Sequence, residues 1–474
     1  MARFYVQNFG CRATQADGAA VERQFRDRGL APARSSVDAQ IVVLNTCTVT
    51  ASADQDARAA IRRIHRENPA CKIVVTGCYA QRAPQEIASL AGVFRVIGNS
   101  HKHVLTELAL QELQPLGARS PLRNATQAFV PLSSLTTGDA PAEVFVSDIF
   151  AHTELLAAPV FDAANERTRP NLKVQDGCDN RCSFCVIPSV RGQSRSLPLP
   201  EVVRQVDQLV AAGYREVVIS GINLGRWGRD LAVKRGWGGR PRPPRAGASD
   251  KASRFEDLVR AILNETALEK LRISSVEPMD WSDNLIALMA NSPRIARHAH
   301  VPMQSGSDAV LRRMHRKYRP WHYREKVEKI RAAMPTAAIG ADVMVGFPGE
   351  TAAEFEQTRR MIEDLPLTYL HVFTYSPRPG TPAAAMSHQV PAQVARERNR
   401  ILRELGAEKK TWFMDRFVGT EIEAITLNVT DGQFTEALTD NYLKMRLRGV
   451  HEPNQWITAR VDSAGHAVLA GSAR

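Results

Sequence analysis

Seven cysteines occur in this chain of 474 residues, and all but Cys71 fall into two groups whose spacing suits metal chemistry. The first group is Cys178, Cys182 and Cys185, spaced C-x3-C-x2-C in the run V-Q-D-G-C-D-N-R-C-S-F-C-V-I-P-S-V-R, Val174–Arg191. Three thiolates on one loop can close around a single metal centre, and no fourth ligand stands nearby. A structural zinc site takes four protein ligands, and an iron–sulfur cluster held by cysteine usually takes four as well. Three therefore point to a cluster with one iron left open, against the plainer reading of three buried or zinc-bound cysteines. The second group, Cys11, Cys47 and Cys78, is scattered along the chain, but each member directly follows a predicted strand, Arg3–Val6, Gln40–Leu44 or Lys72–Val75. Parallel strands end along one edge of their sheet, so residues distant in sequence converge there. That makes a second three-thiolate site with one position unfilled. Three ordinary small core residues is the alternative. Cys71 enters a strand rather than leaving one and reads as structural.

The elements that must position these thiols follow from periodicity. In residues 1–113 the cysteine-bearing strands and a further strand, Phe94–Ile97, alternate with helices near Ala19–Arg28, Ser52–Glu67 and Pro84–Leu90, which predicts a parallel α/β sheet. Residues 114–164 are rich in Ala, Pro, Thr and Ser and read as a linker, with a short strand near Phe145–Phe150. In residues 165–407 the rhythm resumes with strands Leu172–Val174, Glu216–Ser220, Leu271–Ser275, His298–Val301, Ile339–Val345 and Tyr369–Phe373, separated by helices. Six strand–helix units are too few for a closed eight-fold barrel, and function is expected at their C-terminal ends. Those ends carry polar and Gly-rich groups, among them Asn223, Glu277, Gln304 and Asp342. A basic, Gly/Pro-rich segment, Arg226–Arg254, interrupts the series; it reads either as an arm for RNA phosphate or as a solvated loop. After a charged helix, Val390–Trp412, residues 408–474 switch to short alternating strands, a small all-β barrel in which Tyr442, Lys444, Arg446 and Arg448 are expected to share one basic face.

Formal net charge is +12, which favours a polyanionic partner over a small-molecule substrate alone. No apolar run reaches the ~20 residues of a membrane span. The N-terminus leads into a strand and a cysteine rather than a signal peptide. A cytoplasmic location is therefore expected, where thiols serve as metal ligands more readily than as disulfides.

The C-x3-C-x2-C loop resembles the cluster loop of the radical S-adenosylmethionine (SAM) enzymes. The resemblance implies a partial (β/α)6 barrel and a [4Fe–4S] cluster on Cys178, Cys182 and Cys185. The open iron would chelate SAM, and one electron would split it to a 5′-deoxyadenosyl radical. It places Phe184 beside the adenine and makes Asn223, Glu277, Gln304 and Asp342 SAM- or substrate-pocket residues, with His300 a further candidate. The pattern F-G-C-R…L-N-T-C-T-V-T…V-T-G-C-Y-A-Q then resembles the methylthiotransferase family. In that family an auxiliary [4Fe–4S] cluster, here on Cys11, Cys47 and Cys78, holds the sulfur that is transferred. Arg12-Ala13-Thr14-Gln15 departs from the pattern: Gln15 is in register, but Thr14 occupies the position of an Asn, so no supporting Asn is carried over. The terminal β-barrel is similar in size to the TRAM module, an RNA-binding appendage of the family.

Within the family, L-N-T-C-T-V-T, S-S-V-E-P-M-D, H-V-F-T-Y-S-P-R-P-G-T-P-A and L-T-D-N-Y are most similar to the branch that acts on N6-threonylcarbamoyladenosine at tRNA position 37. The product would be the 2-methylthio derivative, and adenine C2 is the kind of unreactive C–H that needs a radical. The neighbouring branches act on isopentenyladenosine in tRNA and on an aspartate of a ribosomal protein. Outside the family stand a non-catalytic RNA-binding protein with structural metal and an electron-transfer protein. The expected partners are the tRNA anticodon loop, an electron donor and a sulfur source, with no membrane and a monomeric chain.

Overall fold

The computed structural model describes residues 2–111, 142–151, 155, 168–231, 253–465 and 467–473. Most of the expected linker 114–164 and of the basic segment 226–254 lies outside the described residues. The chain divides into two compact units, one of Met1–His152 with Ser189–Arg191, the other of Thr153–Pro188 with Gly192–Arg474.

In the first unit, β1 (Arg3–Asn8), β2 (Ala31–Pro32), β3 (Ile41–Thr46), β4 (Lys72–Gly77), β5 (Val93–Gly98) and β6 (Glu143–Phe145) form one sheet in the order β2-β1-β3-β4-β5-β6. Every pairing is parallel. The apolar runs of β3 and β4 serve both faces: Val42, Leu44, Ile73 and Val75 enter one core, and Ile41, Val43 and Val74 the other. Burial on both sides is why these strands read as continuous rather than alternating. The helix Ala51–Glu67 buries Ala57, Ala60, Ile61 and Ile64 on one stripe, and the Thr50 side chain caps it by accepting from the Ala53 N–H. The strand expected over 145–150 is Glu143–Phe145, and it extends the sheet beside β5. The two-residue edge strand β2 is too short to show a period in sequence.

In the second unit β7 (Asn171–Asp176), β8 (Arg195–Ser196), β9 (Glu216–Gly221) and β10 (Lys270–Ile273) form a sheet ordered β10-β9-β7-β8. Next to it lie β11 (His298–His300), β12 (Ala338–Val345) and β13 (Tyr369–Thr374), and a parallel bridge, Leu271↔Ile295, connects the two sets. One face of these strands is apolar: Val217, Ile219, Leu271, Ile273, Ala299, Val301, Ile339, Ala341 and Val343 join the helices in the main core. By the two-residue alternation of a strand, the other face carries Glu216, Ser220, Arg272, His298, His300, Asp342 and His371.

The polar face is closed at one end by an ion pair with no exposed side-chain surface: Arg272 Nε donates to Glu216 at 2.6 Å, and Arg169 approaches the same carboxylate at 3.4 Å. Burial opposes ionisation of Glu216, yet the two guanidinium groups hold its pKa below the ordinary carboxylate value. Arg272 also donates to the carbonyls of Asp440 (3.1 Å) and Thr439 (3.4 Å), which belong to the C-terminal barrel. That barrel, β14 (Glu421–Thr430), β15 (Phe434–Thr439), β16 (Lys444–Arg448), β17 (Trp456–Gly465) and β18 (Val468–Ala473), closes in the order β14-β15-β16-β18-β17. Along β16, Met445 and Leu447 are buried while Lys444, Arg446 and Arg448 are exposed, as alternation requires. Tyr442 departs from the expected basic face: it has φ 69° and lies with its ring 4.4 Å from that of His298. The turn before β16 directs it into the protein, where its apolar ring is covered. Among the described residues no helix is long and apolar enough to cross a membrane.

Removing one partner of a buried pair strands the other charge. Arg272→Ala is therefore expected to lower stability by about 3–5 kcal/mol, read from the urea unfolding midpoint. The double variant Arg272→Met/Glu216→Leu should recover part of the loss, because the buried carboxylate is removed with its partner and only the partly exposed Arg169 loses a contact.

Candidate functional site

The three cysteines of the second unit sit on the loop that follows β7. Gly177, at φ 70°, makes the sharp exit from the strand; a Cβ there would lie 2.0 Å from the Gln193 carbonyl oxygen. Gln175, fully buried, ties the loop together. Its Nε2 donates to the carbonyls of Asp176 (3.0 Å) and Gly177 (2.8 Å) and to Ser194 Oγ (2.9 Å), and its Oε1 accepts from the Asn223 N–H at 2.7 Å. The return of the loop is fixed by Cys178 N donating to Gly192 O (3.1 Å), and its middle by Ser183 Oγ donating to Arg313 O (2.7 Å).

Cys178 and Cys182 have polar neighbours. The Asn180 N–H and Asn223 Nδ2 point at Cys178 Sγ, at 3.4 and 3.6 Å. Arg316 Nη1 lies 3.3 Å from Cys182 Sγ, and its Nη2 pairs with Glu277 at 3.1 Å. Tyr318 stacks its hydroxyl against Arg316 Nε at 3.2 Å and donates to Met303 O at 2.8 Å. Asn180, Cys182, Glu277, His315, Arg316 and Tyr318 line a common cleft. Burial pushes the Cys185 thiol up to about 12, and raises Cys178 as well; the backbone N–H groups and Asn223 work against that shift at Cys178. Thiols so placed stay protonated at neutral pH until a metal takes the proton's place.

Asn223 and Glu277 thus reach the cysteine loop, directly and through Arg316. Phe184 packs edge-to-face on Phe347, with centroids 6.3 Å apart. Gln304 and Asp342 are joined to each other by the backbone: Gln304, in the left-handed region at φ 61°, donates its N–H to Asp342 O at 2.8 Å. The Asp342 carboxylate faces His300 and His371 instead of the cysteine loop, at 3.1 and 3.3 Å. Sequence reasoning missed Gln175 and Arg316. Arg316 sits in L-R-R-M-H-R-K-Y, a basic run indistinguishable from a solvated helix end, yet its side chain is only 6% exposed.

In the first unit Cys11, Cys47 and Cys78 follow β1, β3 and β4, at one edge of the parallel sheet. Gly10, at φ 99°, is pressed against Cys47: a Cβ on it would stand 2.6 Å from Cys47 Cβ and 2.9 Å from its Sγ. Cys11 Sγ lies 3.6 Å from Thr14 Oγ1, and Asn99 Nδ2 lies 3.6 Å from Cys78 Sγ. Burial, followed by the nearness of Cys78, lifts the Cys47 thiol to about 11, and Cys11 adds to the effect. Cys11 and Cys78 thus both lie near the Cys47 thiol.

Each triad offers three ligands of one soft type, a donor set that suits an iron–sulfur cluster with one iron left open or a zinc ion with one position open.

Comparison with known proteins agrees with this geometry. The family described as "Radical SAM superfamily" matches residues 172–362, and "Uncharacterized protein family UPF0004" matches residues 3–98. Over 457 residues the chain is 34% identical to the threonylcarbamoyladenosine tRNA methylthiotransferase MtaB of Bacillus subtilis (strain 168), covering 95% of this chain and 92% of that protein. The protein of the same name from Aquifex aeolicus (strain VF5) is 33% identical, over 94% of this chain and 97% of its own length. A tRNA-2-methylthio-N(6)-dimethylallyladenosine synthase of Parafrankia sp. (strain EAN1pec) is 34% identical, over 89% and 77%. Among solved structures, the radical SAM methyltransferase TsrM from Kitasatospora setae shares the fold, with a TM-score of 0.53 and 16% identity over 81% of this chain and 75% of that one.

A fixed cation against a ligand sulfur stabilises the reduced, more negative state of a cluster. Arg316→Gln is expected to leave iron content intact while moving the reduction potential of the cluster on Cys178, Cys182 and Cys185 to more negative values. An anaerobic redox titration followed by electron paramagnetic resonance reads the shift.

Proposed function

The chain belongs to the radical SAM methylthiotransferase family, and from that premise we propose that it transfers a methylthio group to C2 of N6-threonylcarbamoyladenosine at position 37 of tRNA. The observation that carries this reading is the pairing of a three-thiol loop at the end of β7 with a second three-thiol set at the edge of a separate parallel sheet, in a chain that aligns along nearly its whole length with relatives of that name.

The balance of the reaction sets what the protein must supply. A C–H bond is replaced by C–S–CH3, so one SAM gives its methyl group and a second, cleaved reductively, carries away the hydrogen as 5′-deoxyadenosine. A sulfur source and an electron donor complete the equation. When bound to Cys178, Cys182 and Cys185, a [4Fe–4S] cluster supplies the electron for the cleavage. A second cluster is assigned to Cys11, Cys47 and Cys78.

The remaining steps belong to the chain's own groups. Asn223 and the Asn180 N–H orient Cys178, and Arg316 stabilises the Cys182 thiolate by charge. Glu277, held by Arg316 at the cleft, is an acceptor for the ammonium or ribose of SAM, and Phe184, backed by Phe347, offers an apolar face to adenine. Gln304, joined by its backbone to β12, adjoins the pocket, while the Asp342 carboxylate turns to His300 and His371 instead. The net charge of +12 and the exposed Lys444, Arg446 and Arg448 on the C-terminal barrel suit contact with tRNA phosphate. A cytoplasmic, monomeric enzyme is the corresponding setting.

Two measurements check the reading. In total tRNA from a strain lacking the gene, nucleoside mass spectrometry should show 2-methylthio-N6-threonylcarbamoyladenosine lost and its unthiolated precursor accumulated. Accumulation of N6-dimethylallyladenosine instead would reassign the substrate. The variant with Cys11, Cys47 and Cys78 all changed to Ala should hold about half the iron and still release 5′-deoxyadenosine, while forming no methylthio product; full iron retention would refute the second cluster.

A further inference from the structure

The polar face of the second unit carries a donor set that the cysteine chemistry does not use. Strand register brings it together. Asp342 on β12 pairs directly with His371 on β13, and His300 on β11 pairs with Gly340, one alternation away from Asp342. Residues on that side alternate with Ala299, Val301, Ile339, Ala341 and Val343, which fill the core behind them.

Gly340 is the permissive residue. A Cβ there would lie 2.0 Å from the Tyr369 ring. Without one, the ring crosses the strand and sets its hydroxyl between His298 Nε2 (2.7 Å) and His300 Nδ1 (3.1 Å). The hydroxyl has one proton. When it is donated along the shorter contact, to His298, Tyr369 accepts from His300 Nδ1–H, and in that tautomer the His300 lone pair lies on Nε2.

The Nε2 atom points where a ligand belongs. It is buried, lies 3.1 Å from Asp342 Oδ1 and yet has no aligned hydrogen-bond partner. His371 Nδ1 approaches the same carboxylate at 3.3 Å, and the three donor atoms all lie within 4.8 Å of one another. Around a divalent first-row ion with bonds of about 2.0–2.2 Å, neighbouring donors stand roughly 2.9–3.6 Å apart. The two histidine–carboxylate separations fall in that range. Donation of the other ring N–H to a fixed acceptor is the usual support of a ligating histidine.

We propose that His300, Asp342 and His371 form a binding site for a single divalent transition-metal ion, separate from both cysteine triads. Two imidazoles and one carboxylate select an ion of the zinc or ferrous class over magnesium or calcium. Donors from only three strands, on one side of the ion, leave coordination positions open for water or an oxygen ligand. His371 is exposed and provides the route of entry, and His300 is the buried anchor.

The probe is Zn2+, added to the cluster-loaded enzyme under anaerobic conditions and followed by metal analysis and zinc X-ray absorption. The expected result is about one zinc per chain, unchanged iron, and a shell of nitrogen and oxygen ligands with imidazole scattering and no sulfur. His371→Ala changes an exposed side chain, so it tests the site without threatening the fold; it should weaken zinc binding a hundredfold or more. Tyr369→Phe keeps the ring and removes only the hydroxyl, and should weaken binding about tenfold. Absence of bound zinc in the unaltered enzyme, sulfur in its shell, or undiminished binding by His371→Ala would each overturn the proposal.

Discussion

Gln175 is the residue on which the site of the second unit depends. A loop bearing three thiols has to hold its shape before any metal is present, although burial makes the Cys178 and Cys185 thiolates costly. The Gln175 amide meets that constraint by satisfying the loop's own carbonyls and Ser194 on one side and the Asn223 N–H on the other. It joins the cysteine loop after β7 to the Gly-rich turn after β9 through a single buried side chain. Gly177 and Gly221 permit the close approach; a Cβ on Gly221 would fall 2.8 Å from Gln175 Oε1. Asn223 is thereby delivered to Cys178, and the chemistry begins from a prearranged geometry.

Electrostatics then divides the polar face of this unit into zones. Beside the cysteines, the buried Arg316 pairs with the partly exposed Glu277, and its cation touches Cys182. In the middle, the imidazoles of His300 and His371 hold the Asp342 carboxyl well below the usual carboxylate range despite the burial that opposes it. At the far end Arg272 and Glu216 neutralise each other while binding carbonyls of the terminal β-barrel. A polar interior is stable only when its groups are paired, and each of these zones is paired within itself.

The first unit solves the same problem by topology. Its thiols come from strands far apart in the chain, and the parallel arrangement alone puts their C-terminal ends side by side. The glycine before Cys11 and the glycine before Cys78 both take positive φ, so that each cysteine turns back over the sheet edge. Buried Cys47 and Cys78 are held by the core, while Cys11 remains exposed.

The sequence by itself determined what is local: the cysteine spacings, the strand ends that Asn223, Glu277 and Gln304 follow, the α/β rhythm and the small terminal barrel; Asp342 lies within β12 rather than at its end. These are legible because ligand spacing and hydrophobic period are encoded within a few residues. Tertiary structure alone decided which of those residues meet. Arg316 reads as one charge in a basic run until the fold carries it 134 positions back to Cys182. Tyr442 reads as part of a surface stripe until the turn before β16 swings it onto His298. His371 acquires a partner only through the register of β12 and β13. Each is a contact between side chains distant in sequence, set by strand order and register, and no local period records it.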